Sequence, residues 1–163
     1  MDTRVRSWHA LAVLNARLFR NCLADVDDVV ARSRPADRVN SMAFLAIHLI
    51  EARHFVLALL GDQRPRPFGD RFDSVTRVDE VTEYPPVGDL LRSWDLLSAG
   101  LDQALSRVEA DALDVPASHG YPLPIDDSSV NGSLAFMFQH ESYHVGQLAI
   151  LRKLSGLPAM RYG

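Results

Sequence analysis

Cysteine and lysine are each represented once in this sequence, by Cys22 and Lys153. A lone cysteine excludes a disulfide within the chain. Cys22 falls in an apolar stripe, which makes it a packing thiol rather than a nucleophile, and the cysteine usage suits a reducing cytoplasm. The net charge is −4 and basic residues form no tract, so the electrostatic footprint of a nucleic-acid binder is missing. Arg4 and Arg6 are not followed by an apolar core and a cleavage site, so no signal peptide is read. The most apolar run, Met42 to Leu60, is interrupted by His48, Glu51, Arg53 and His54. It reads as a buried helix and not as a membrane span. Internal repeats and low-complexity segments are absent as well.

What remains is helical. With 163 residues, 47% of them hydrophobic, the chain suits one domain over residues 1–163 with a sizeable core. Residues 4 to about 32 carry Trp8, Leu11, Leu18, Phe19, Cys22, Val26, Val29 and Val30 at helical spacing, with Asn15 inside the stripe and His9 just off it. Asp37 is a candidate cap for a second helix ending near Leu60, with Gly61 as its stop. That helix is apolar almost all round and must be covered on more than one side; a partner chain could supply part of that cover. Pro85 and Pro86 open a third helix, striped by Leu90, Trp94, Leu97, Leu101 and Leu105. Ser129 caps a fourth. The connection from Gly61 to Pro85 is long enough to cross the length of a bundle, which allows the second and third helices to run in the same direction. Four amphipathic helices without strand-like alternation predict an all-α four-helix bundle.

The chemistry concentrates in Ser133 to Gly156. His140 and His144 lie four residues apart on one helical face shared with Phe136, Met137, Leu148 and Leu151. Two imidazoles one turn apart form a bidentate grip on a transition metal. The segment HESYH matches the H-E-x-x-H zinc-protease pattern, but no His, Asp or Glu follows His144 to serve as the third ligand that pattern requires. The third ligand is therefore expected upstream, and His48, central on the apolar face of the second helix, is the best placed. Zinc or nickel suits such a set; iron and manganese remain open. Asn15 and Gln147 are the expected polar residues of a substrate pocket. His54, His119 and Arg53 are expected at the surface, and Glu141 is a neighbour of the histidines rather than a general base.

Two segments, QHESYHVGQLAILRKLSGLP and FLAIHLIEARHFVLALLG, resemble the DinB-like family. The order and spacing of the helices extend the likeness over most of the chain. The resemblance implies an up-down-down-up bundle, often a homodimer, holding a divalent metal at His48, His140 and His144. Relatives by this resemblance include mycothiol-dependent maleylpyruvate isomerase and bacillithiol transferases. The implied activity is transfer of a low-molecular-weight thiol to a small electrophile. The alternatives are metal-dependent hydrolysis of a small amide or ester and a metal-binding bundle without turnover. No residue is assigned a catalytic role by sequence.

Overall fold

The computed structural model describes residues 2–72, 75, 77–119 and 122–162. Five helices account for nearly all regular structure: α1 (Thr3–Leu23), α2 (Asp28–Arg32), α3 (Met42–Leu59), α4 (Val87–Arg107) and α5 (Val130–Leu154). Among the described residues, the only β-type pairing is an isolated bridge between Pro116 and Ser129.

The first predicted helix is broken in two. Asp25 adopts a left-handed conformation at φ 58, which a helix cannot propagate. The Asp27 carboxylate then accepts from the backbone of Val30 and starts α2. The break turns Val29 outward, 79% exposed, so it is not part of the core stripe. The second helix is capped by Ser41 rather than Asp37: the Ser41 hydroxyl accepts from the Phe44 amide at 3.1 Å. Gly61, at φ 84, stops it as expected. The Ser129 hydroxyl caps α5 through Gly132.

Long α1, α3, α4 and α5 form a square in which α1 packs on α4 and α5, and α3 packs on α4 and α5. Contacts along the helices fix their directions. Asn15 meets Glu141 while Cys22 lies against Val145, so α1 and α5 are parallel. His9 pairs with Asp102 and Arg20 with Asp95, so α1 and α4 are antiparallel. Arg53 bonds Ser98 while Leu60 and Ala104 line one cavity, so α3 and α4 run together. His48 meets His144 while Val56 and Met137 line one cavity, so α3 and α5 run oppositely. The order is up-down-down-up. The 61–86 connection makes the crossover, with 3-10 turns at Gly69–Phe72 and Val78–Glu80. By length and hydropathy α3 could cross a membrane; here it is mostly buried, packed against α2, α4 and α5 of the same chain.

The centre of the core holds an ion pair. Arg53, expected at the surface, is 2% exposed. It projects from α3, and its Nε donates to Glu141 Oε1 of α5 at 2.8 Å. Its Nη1 donates to Ser98 Oγ of α4 at 2.6 Å, and its Nη2 to the Ala12 carbonyl of α1 at 3.3 Å. The guanidinium lies 3.7 Å from the centroid of Trp94, a cation–π contact strengthened by burial. Trp94 itself donates to the Ala16 carbonyl and stacks on Phe19. The second Glu141 oxygen accepts from Asn15 at 3.0 Å. Burial pushes the Glu141 carboxyl up and the Arg53 guanidinium down, and each opposes the shift of the other.

Removing one partner of such a pair leaves an uncompensated buried charge. Arg53→Met should therefore lower unfolding stability by about 3–5 kcal/mol. The double variant Arg53→Met/Glu141→Leu, with neither charge left, should be more stable than the single one. Urea unfolding of the three proteins checks the order.

Candidate metal centre

The α3/α5 seam brings the three sequence-selected histidines together. His48 of α3 faces His140 and His144 of α5 across the antiparallel pair. His48 Nε2 lies 2.9 Å from His140 Nε2, and His144 Nε2 lies 3.1 Å from the same atom. All three ligand atoms fall within 4.8 Å of one another. The rings meet edge to face, with centroids 4.5 to 4.9 Å apart. Phe44 stacks on His48 and Phe136 on His140, while Tyr143 stands edge-on to His144.

Hydrogen bonding fixes part of the protonation pattern. Gln147 Oε1 lies 2.7 Å from His144 Nδ1. A carbonyl oxygen only accepts, so Nδ1 carries the proton and His144 Nε2 presents a lone pair. His140 Nδ1 is buried without a partner among the described residues, so its Nε2 is the ring's only polar contact. Burial, with the neighbouring histidines adding to it, lowers His48 and His140 to about 4. His144 is lowered by burial, with Gln147 opposing. All three rings are neutral at pH 7, with more lone pairs than protons at the point where they converge.

This donor set fits a divalent cation. Nitrogens around a tetrahedral zinc stand roughly 3.3 Å apart for bonds of about 2.0–2.1 Å, close to the 2.9 and 3.1 Å that separate His140 Nε2 from the other two. Three histidines leave a fourth position open, and the Gln147 bond supplies the outer contact that orients a ligating imidazole.

The other sequence-selected residues lie elsewhere. Asn15 is buried, but its bonds go to Glu141 and Ser142 and not to a histidine, so it supports the central ion pair. Gln147 does touch the centre, through His144. His54 is half-buried and bonded to the Arg64 carbonyl at 2.7 Å. His119 is also half-buried, with Nε2 3.1 Å from Ser133 Oγ and its ring against Phe55. Gly120 and Tyr121, in the same predicted loop, lie outside the described residues. The Arg53–Glu141 pair was the feature sequence reasoning missed. Its signal was present: an arginine in a helix apolar on all sides needs a buried acid, and Glu141 stands on the helix opposite.

No curated protein is found to match the chain. Among solved structures, the chain is similar to a conserved protein from Enterococcus faecalis, at 14% identity and a TM-score of 0.70, over 94% of this chain and 97% of the other. That likeness is one of fold. The family model for the DinB superfamily matches residues 12–148, a span that includes His48, His140 and His144. The chain belongs to the DinB superfamily.

Proposed function

We propose that the protein holds one divalent cation, zinc or nickel, at His48, His140 and His144 and uses it to transfer a low-molecular-weight thiol to a small electrophile. The observation that carries the metal reading is the convergence of three neutral imidazole Nε2 atoms on one point. A divalent cation with an open position lowers the pKa of a thiol that reaches it, so that thiolate is available near neutral pH. The chain's own residues account for the rest. Gln147 orients His144. Glu141 is committed to Arg53 and does not serve as a base. Cys22 is buried, with its thiol pushed up to about 11 by burial, and cannot act as the nucleophile. The reacting sulfur therefore comes from a second molecule, as in the thiol-dependent enzymes the sequence resembles. In the transfer a carbon–sulfur bond forms as the electrophile's bond to its leaving group breaks, and that group departs with the thiol proton.

Elemental analysis is the primary test. The wild type should carry about one equivalent of zinc or nickel per chain, as expected for one three-histidine centre, and His48→Ala should lose it. A wild type that stays metal-free after reconstitution overturns the metal reading. A panel of low-molecular-weight thiols with chlorodinitrobenzene tests the second half. Saturable, metal-dependent conjugation supports it, and a loaded protein that conjugates none of them leaves a metal-binding bundle without turnover. Gln147→Leu should weaken metal affinity roughly 10- to 100-fold by freeing the His144 ring, read by competition with a chelator.

The pH dependence follows from linkage. In the metal-stripped protein His48 and His140 titrate near 4, against about 6.5 in an unfolded chain. Between those values the unfolded state binds protons that the folded state refuses, so stability falls as pH drops from about 6.5 toward 4. Urea midpoints of the stripped protein should decline across that window. In His48→Leu the decline should be shallower.

A further inference from the structure

The seam that carries the histidines continues past them into a groove. A cavity of about 350 Å³ lies between the start of α3 and the end of α5, lined by Arg38, Leu45, Gln147, Ile150, Leu151 and Leu154 among others. Gln147 belongs to both places: one end of its side chain holds His144 Nδ1 at 2.7 Å, and the residue walls the groove. Leu45 stands one turn before His48 on α3, and Leu151 two turns beyond His144 on α5. Ile150 and Leu154 are 60% and 63% exposed, an unusual placement for large aliphatic residues side by side on one helix face. They border a concavity rather than a flat patch, and its volume falls within the range of small-molecule sites.

Among the described residues, one cation stands on the rim, Arg38. Arg38 has no hydrogen-bond or ion-pair partner among the described residues, whereas Arg32 bonds the Tyr84 carbonyl and Arg34 bonds Asp79. A cavity of about 650 Å³ at the start of α4 differs in this respect: its arginines Arg32, Arg71 and Arg92 pair with Asp28, Glu83 and Asp89.

We propose that this groove is the acceptor subsite of the metal centre, and that it selects small electrophiles with an apolar body and a carboxylate. The apolar body lies on Leu45, Ile150, Leu151 and Leu154, the carboxylate pairs with Arg38, and the reacting end faces Gln147. The assignment rests on the function proposed above, but its binding test does not need turnover.

Calorimetric titration with acetate, butanoate, hexanoate, octanoate and the matching alcohols tests it, on zinc-loaded and metal-stripped protein with metal content measured in each sample. Affinity should rise about threefold per methylene beyond butanoate, since each buried methylene contributes hydrophobic free energy. Octanoate should bind better than octanol, and Arg38→Gln should remove that preference. Ile150→Arg and Leu154→Glu should each weaken octanoate by about tenfold or more, as a charge lining an apolar site must, with metal content unchanged. Affinity that is flat with chain length, or indifferent to Ile150→Arg, overturns the subsite. Carboxylate binding that requires metal and ignores Arg38→Gln overturns the assigned polarity. A dimer that Ile150→Arg dissociates, with no octanoate bound by either form, shows the face to be covered by a second copy and also overturns it. If no metal is held and the chain-length series persists, the groove stands and the metal reading falls.

Discussion

The fold depends on the buried guanidinium at the centre of the bundle. Arg53 touches all of the long helices: it leaves α3, crosses the diagonal to the Ala12 carbonyl of α1, bonds Ser98 of α4 and pairs with Glu141 of α5. A guanidinium suits this role because its donors point outward in a rigid plane while its faces accept an aromatic ring, here Trp94. Apolar packing alone tolerates small rotations and slips of a helix. A five-donor fork with fixed acceptors does not, so the pair sets the depth and rotation of each helix about the axis.

That constraint reaches the histidines directly. Glu141 follows His140 in the chain, and successive residues on a helix point about 100° apart. With Glu141 held toward the bundle centre, His140 and His144 are turned to the α3/α5 seam. On α3, His48 lies five residues before Arg53, so the same pairing sets its height against α5. The two polar clusters therefore do different work. The ion pair is enclosed and bonded on both sides, while the imidazoles are half-buried, with their Nε2 atoms converging.

Much of this was legible because the histidines sit at spacings that only a helix reconciles. His140 and His144 share a face by periodicity, and His48 is the sole histidine central to the apolar face of its helix. The helix order, the capping serine of α5 and the crossover connection were also readable, since each is local or depends on loop length. What escaped was non-local. Arg53 on α3 and Glu141 on α5 are far apart in sequence, and nothing near either residue names its partner. Asn15 looked like a pocket residue for the same reason: periodicity gives its direction, inward, but not which inward acceptor it meets. The break after Leu23 was missed because it rests on the left-handed backbone of Asp25 and not on a glycine or proline.

The helix directions bear on how the chain folds. In a bundle of successive hairpins each helix can dock on the one just made. Here α1 packs mainly on α4 and α5, beginning 64 residues beyond its own end, at Val87 after Leu23. Arg152 near the end of α5 completes the arrangement by donating to the Cys22 and Ala24 carbonyls at the close of α1. Helix α1 therefore stays without its tertiary cover until α4 and α5 are in place. The closure entropy of those long loops comes before the contacts that offset it, which slows folding relative to a bundle of local hairpins. During synthesis the apolar stripe of α1 therefore stays open to solvent until the chain has reached α5.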